Sequence, residues 1–199
     1  MDFLRFGTGG IPLSTNPRET INGIKQANSL GLNAMELEFV HSVNVSAEKA
    51  PLVKKAAFEN NIVLTSHGSY YINLNALEKE KREASKKRVV EAATRLWECG
   101  GTSLTFHAAF YLGMDKEIVY NNVKKALSEI VDELKASGNK VKIRPETAGK
   151  HAQFGYLDEI VSLSQELDQV EPCIDWAHLH AKANGGENSY ALFSKTLDY

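Results

Sequence analysis

The stretch IVLTSH, residues 62–67, decides how this chain is read. Ile62–Thr65 is a short apolar, β-branched run of the kind a fully buried strand carries, and it stops at Ser66-His67. The same phrase recurs downstream. SLTF (103–106) is strand-like and ends at His107, and Val141–Arg144 is strand-like and ends at Pro145-Glu146. Pro172–Ile174 is the last such run. It ends at Asp175, with His178 three residues further on. Upstream, Phe3–Phe6 and Asn33–Val40 (NAMELEFV) read as the first two strands.

Helical patterns fill the gaps. Asn16-Pro17 predicts a helix cap with proline at the first helical position, and Ile21, Ile24, Ala27 and Leu30 form its apolar face before a stop at Gly31. Further helices are expected over about residues 46–60, 77–98 and 157–167. Asp115 caps another, whose face is Val119, Val123, Leu127, Ile130 and Leu134, with Gly138 just beyond. Six strand–helix units of about 33 residues each predict an α/β fold with a parallel sheet. A doubly wound sheet and a (β/α)8 (TIM-type) barrel both fit; the expectation adopted is the barrel, with about six of its eight units in this chain. Residues 1–199 are expected to form one barrel domain, incomplete at its C-terminal side. The open edges this implies suggest a piece of a longer protein, or closure by a partner. A complete barrel would be expected as a monomer.

Composition narrows the function classes. The chain is 43% hydrophobic and 24% charged, as globular proteins are, and its net charge of −2 does not favour a nucleic-acid binder, although a local basic patch can serve. Cys99 and Cys173 make no disulfide framework, which predicts a reducing, cytoplasmic setting. No apolar run is long enough for a membrane span or a signal peptide.

Four consecutive strands end in side chains that bind metals: His67, His107, Glu146 and Asp175, with His178 close behind. In parallel α/β folds the carboxyl ends of the strands share one rim, so these residues converge. Imidazole nitrogen and carboxylate oxygen are the ligand set of zinc and related transition metals. Two histidines and a glutamate complete a three-ligand catalytic set, and Glu146, with two oxygens, can bridge two ions. Taken singly, each histidine also reads as a hydrogen-bonded strand end and Asp175 as a helix N-cap. His41 reads as solvated or as a substrate contact, His180 as a group behind the ligands, and His151 as a polar loop residue. KEKREASKKR (79–88) carries six basic residues and reads as a solvated helix face with Glu/Lys pairs before it reads as a phosphate contact.

At HGSYYINLN (67–75), FHAAFY (106–111), RPETAGK (144–150) and CIDWAHLHAKANG (173–185) the chain resembles the endonuclease IV family of apurinic/apyrimidinic endonucleases, within the xylose-isomerase-like barrel superfamily. The likeness runs from about residue 5 to 186. The resemblance implies up to three Zn2+ ions. His67 and His107 would hold the first, Glu146 would bridge the first and second, Asp175 would bind the second and His178 the third. It also implies DNA contact by Tyr70, and a catalytic Glu146 in hydrolysis of the phosphodiester 5′ to abasic sites in duplex DNA, the chemistry of base excision repair. The sequence departs from the family's pattern in three places. The family's ligands from the seventh and eighth units have no counterpart before Tyr199, FHAAFY lacks the Pro-Gly that follows the second histidine, and VHSVNVS lacks an arginine and glutamine cluster. Two alternatives therefore stand beside the endonuclease. One is a xylose-isomerase-like sugar isomerase or epimerase that uses a single Mn2+ or Mg2+ with Glu146, Asp175 and His178. The other is an inactive truncated barrel that keeps one structural metal.

Overall fold

The structure is a computed structural model that describes residues 4–186 and 188–199. Strands β1 (Gly7–Gly9), β2 (Ala34–Glu38), β3 (Val63–His67), β4 (Ser103–Phe106) and β5 (Lys142–Pro145) form one sheet. Every neighbouring pair is parallel, and the spatial order β1-β2-β3-β4-β5 is the order in sequence. A doubly wound sheet reverses direction part-way; an order that never reverses is an arc of a barrel wall. Helices α1 (Thr20–Ser29), α2 (Ala50–Glu59), α3 (Lys79–Glu98), α4 (Lys116–Ala136) and α5 (Leu157–Glu166) connect and follow the strands, and consecutive helices from α1 to α4 pack on one another. Helices α6 (Trp176–Lys182) and α7 (Tyr190–Leu197) complete the described residues. Five strands and seven helices among those residues fit part of a TIM barrel.

Alternation along the strands sorts the side chains. On β2 and β3, Met35, Leu37 and Leu64 are buried against the helices, while Glu36, Glu38, Thr65 and His67 stand on the other face, half-buried. The apolar layer continues through Leu104, Phe106 and Ile143 and is closed from outside by Val89, Leu96, Val123 and Leu127. The α4 face is as the sequence predicts: Val119, Val123, Leu127, Ile130 and Leu134 are all buried. Asp115 caps that helix, its side chain accepting from the Glu117 amide at 2.9 Å. Asp115→Ala should therefore cost about 1 kcal/mol of stability, seen as a lower midpoint in urea with an unchanged slope.

Several expectations are corrected. The first strand is Gly7–Gly9, not Phe3–Phe6; Met1–Phe3 lie outside the described residues, and Leu4 and Phe6 are exposed. Glycine is needed there because a Cβ on Gly7 would lie 2.4 Å from the Ala34 carbonyl oxygen, so the edge of the sheet has no apolar signature. Helix α1 starts at Thr20 rather than after Asn16: the Glu19 amide bonds back to the Pro17 carbonyl at 2.9 Å, which turns the chain before the helix begins. Residues 46–49 form a turn on the Ser46 carbonyl, and α2 starts at Ala50.

The expected sixth strand pairs without forming a continuous ladder. Only Ile143↔Val170 and Glu146↔Cys173 bridge, in a constant register. Ile143 exchanges bonds with Gln169 and Glu171, and Cys173 bonds the Pro145 carbonyl and the Thr147 amide. The missing rung is the one Pro145 would donate, and proline has no N–H.

Candidate metal centre

The strand ends deliver the expected residues to one rim. His67 is the last residue of β3, His107 follows β4, Glu146 follows β5, and Asp175 and His178 enter with the sixth segment and α6. Their ligand-capable atoms form two overlapping groups, His67–His107–Glu146 and Glu146–Asp175–His178, each with its atoms within 4.8 Å of one another. Glu146, 7% exposed, is common to both. Its Oε2 faces His67 Nε2 at 3.3 Å and His107 Nε2 at 3.5 Å, while its Oε1 lies 3.5 Å from His178 Nδ1. One carboxylate thus presents one oxygen to each side.

The hydrogen bonds behind these groups select their lone pairs. His67 Nδ1 donates to the Gly68 carbonyl at 2.8 Å, which in the neutral ring leaves a lone pair on Nε2 pointing at a carboxylate oxygen. Two acceptors cannot face each other at that distance without a cation between them, either a proton or a metal ion. His178 Nδ1 donates to the Thr147 carbonyl at 2.9 Å, so its lone pair lies on Nε2, and its Nδ1 serves the Glu146 side only through that shared proton. Asp175 caps α6: one oxygen accepts from the His178 amide at 2.7 Å, and Oδ2 stays 3.5 Å from His178 Nδ1. Asp175 is therefore an N-cap and a member of the second group at once. Thr147, fully buried, holds this corner, its Oγ1 accepting from the Asp175 amide at 2.9 Å.

Charge follows geometry. Burial alone would push the Glu146 carboxyl up, but the His67 hydrogen bond and the surrounding imidazoles outweigh it and hold the carboxyl below its ordinary value. Burial likewise depresses His67, yet its bonds to Glu146 and Gly68 leave it net raised. His107 is lowered, by burial first and by the other two imidazoles, against the pull of Glu146. The donor chemistry, a low-lying carboxylate among imidazole lone pairs, fits a divalent transition metal.

The remaining candidates stand outside the two groups. Tyr70 is exposed on the loop after β3, its ring centroid 5.7 Å from that of His67 and 5.7 Å from that of His41. His41 is exposed and meets Tyr70 and Tyr71 rather than the ligands. His151 bonds the Tyr156 hydroxyl at 3.2 Å, and His180 Nδ1 is buried without a hydrogen-bond partner. The basic run lies on α3, where Lys81, Lys86 and Lys87 pair with Glu78, Glu83, Glu129 and Glu91. No helix among the described residues is long and apolar enough to cross a membrane.

Sequence reasoning missed Glu36. It sits on β2 on the His67 side of the sheet, and burial first, then the nearby Glu38 and Glu146, push its carboxyl up to about 7 against the opposing pull of His67. The signal was present in NAMELEFV, whose alternation puts Met35, Leu37 and Phe39 on one face and both glutamates on the other. A carboxyl raised on folding costs stability as pH climbs from its unfolded value of 4.5 through its folded value, and costs nothing below that window. Glu36→Gln should thus raise the melting temperature of the metal-free protein at pH 8 and leave it nearly unchanged at pH 4; equal shifts at both values would contradict the assignment.

The comparisons agree with this architecture. Residues 24–198 match the family model described as xylose isomerase-like TIM barrel. The chain is 40% identical to an uncharacterized protein of Methanocaldococcus jannaschii, over 98% of this chain and 69% of that one. A protein of Campylobacter curvus named probable endonuclease 4 is 27% identical, over 89% of this chain and 66% of its own length. Among solved structures, D-psicose 3-epimerase in the presence of D-fructose superposes with a TM-score of 0.75 at 17% identity, over 97% of this chain and 69% of that one. The last of these shows a common fold and nothing finer. With a family model over most of its length, the chain belongs to the xylose isomerase-like TIM barrel family.

Proposed function

We propose that this chain is a zinc-dependent endonuclease that hydrolyses the phosphodiester 5′ to abasic sites in duplex DNA. One observation carries the reading: Glu146 presents Oε2 to His67 and His107 and Oε1 to the His178–Asp175 side. A carboxylate shared between two donor groups suits a two-ion centre, in which the attacking and leaving oxygens of an in-line displacement at phosphorus would each find a stabilised position. Bound divalent ions would supply Lewis acidity and a low water pKa. His67 and His107 would hold an ion on one side of Glu146 and Asp175 one on the other, and His178, with its lone pair on Nε2, would supply a further ligand. Glu146, common to both groups, would keep the two sides in register and orient the attacking water. Tyr70 would meet the DNA next to the lesion, a role that its exposure beside His67 supports. The likeness to the Campylobacter curvus protein supports the substrate class.

The test is incision of a duplex carrying one abasic site. The expected product ends in a 3′ hydroxyl, and the rate should fall as salt rises, because binding displaces counterions from phosphates. Absence of incision by zinc-loaded protein at low salt would overturn the reading.

Glu36 favours a second reading in the same family. A carboxyl raised to about 7 is matched to proton transfer near neutral pH, which a sugar isomerase or epimerase with one Mn2+ or Mg2+ would use. Turnover of a ketose with Mn2+, lost in Glu36→Gln, alongside intact abasic DNA, would select it.

A further inference from the structure

A cavity of about 410 Å3 lies between α5, α6 and α7, and it shares no residue with the two metal-binding groups. Its volume is that of a small-molecule site. Leu157, Leu179 and Leu192 supply apolar wall, and Lys182 and Lys195 supply positive charge.

Lys182 is the unusual member. It is 7% exposed, and its Nζ is buried without a hydrogen-bond partner. No carboxylate among the described residues forms an ion pair with it. The nearest compensation is the Tyr156 ring, whose centroid lies 3.7 Å from Lys182 Nζ and 4.0 Å from Lys116 Nζ. Two cations therefore lean on one aromatic face system. The buried acid in this region, Glu159, is committed elsewhere: it accepts from the Tyr111 hydroxyl and from the Gly155 and Tyr156 amides. Burial pushes the Lys182 amine down to about 8. Asp158 lines the same cavity and, with Glu159, acts on Lys182 at longer range, but neither carboxylate is within ion-pair distance of its Nζ. A buried ammonium without such a partner is costly, and a lysine on four methylenes can swing its charge onto an anion that enters.

We propose that this cavity is a second ligand site, separate from the metal centre, for a small carboxylate with an apolar body whose charge is met by Lys182. Lys182, Lys195 and Asp158 together leave one net positive charge on the lining, which matches a monoanion. The leucine walls match a hydrocarbon body.

The experiment is calorimetric titration of the zinc-loaded chain with 4-phenylbutyrate and with its uncharged counterpart, 4-phenylbutan-1-ol. The acid should bind at least tenfold more tightly than the alcohol. Lys182→Met should erase that preference, leaving the alcohol's affinity unchanged as the control that the cavity has kept its shape. Lys182→Arg should keep the preference, and Lys182→Gln should lose it, so a folding failure in one variant does not decide the matter. Equal binding of acid and alcohol, no binding of either, or an acid preference that survives Lys182→Met would overturn the proposal. The last outcome would place the acid at the metal centre. Displacement of the acid by an equal concentration of inorganic phosphate would overturn the carboxylate class.

Discussion

Glu146→Gln is expected to lower incision of abasic DNA by at least about a thousandfold, some 4 kcal/mol of transition-state stabilisation, with the fold retained. Glutamine has nearly the same shape as glutamate. It keeps one acceptor oxygen, carries no charge, and replaces the other oxygen with a donor amide. Glu146 serves both groups at once, so neither side of the centre survives the change intact. The imidazole lone pair on His67 Nε2 would then face a neutral amide, and the reason for a cation at that position is gone. Removing Asp175 or His178 instead touches only one of the two groups, so those variants should lose activity and still retain metal on the His67–His107 side. Circular dichroism with metal analysis separates these outcomes. Wild-type incision by Glu146→Gln would remove this residue from the mechanism.

Gly155→Ala should be the most damaging single-methyl change near the site. Gly155 has φ +129, a conformation L side chains rarely adopt. A Cβ there would lie 2.7 Å from the Glu146 carbonyl oxygen and 3.0 Å from the Ala148 amide nitrogen. Both are backbone atoms, and the Ala148 amide is bonded to the Gly155 carbonyl at 2.9 Å, so neither yields cheaply. Strain and overpacking together should cost about 3 kcal/mol. For a chain of this size that is a fall in melting temperature of roughly 6–12 °C. Because the displaced atom is the Glu146 carbonyl, zinc affinity should fall with stability. A melting temperature within a degree of the parent's would contradict the packing described here.

Local signals explain what was legible in the sequence. β4 falls where SLTF places it, and α4 starts at its aspartate cap, because a buried apolar run and an N-cap are each written in a few adjacent residues. The rim residues were legible for the same reason, since each ends a recognisable strand. β1 was misplaced because the edge of the sheet is built from glycines admitted for close approach to Ala34. The sixth segment was read as an uninterrupted strand because the gap in its ladder comes from Pro145, on the neighbouring strand. α7 (Tyr190–Leu197) has no buried residues and went unread. Glu36 escaped notice because its carboxyl is raised first by burial in the assembled rim and then by Glu38 and Glu146, against the pull of His67, and only Glu38 is written in the same stretch. The division of Glu146 between two groups is likewise a property of the rim, and no single motif encodes it.

The most direct test of that division is zinc stoichiometry. The metal-free chain would be titrated with zinc and the bound ions counted per chain, for the parent and for Glu146→Gln. The account predicts at least two ions in the parent and fewer in the variant. One ion or none in the parent at saturating zinc would contradict a centre shared through Glu146.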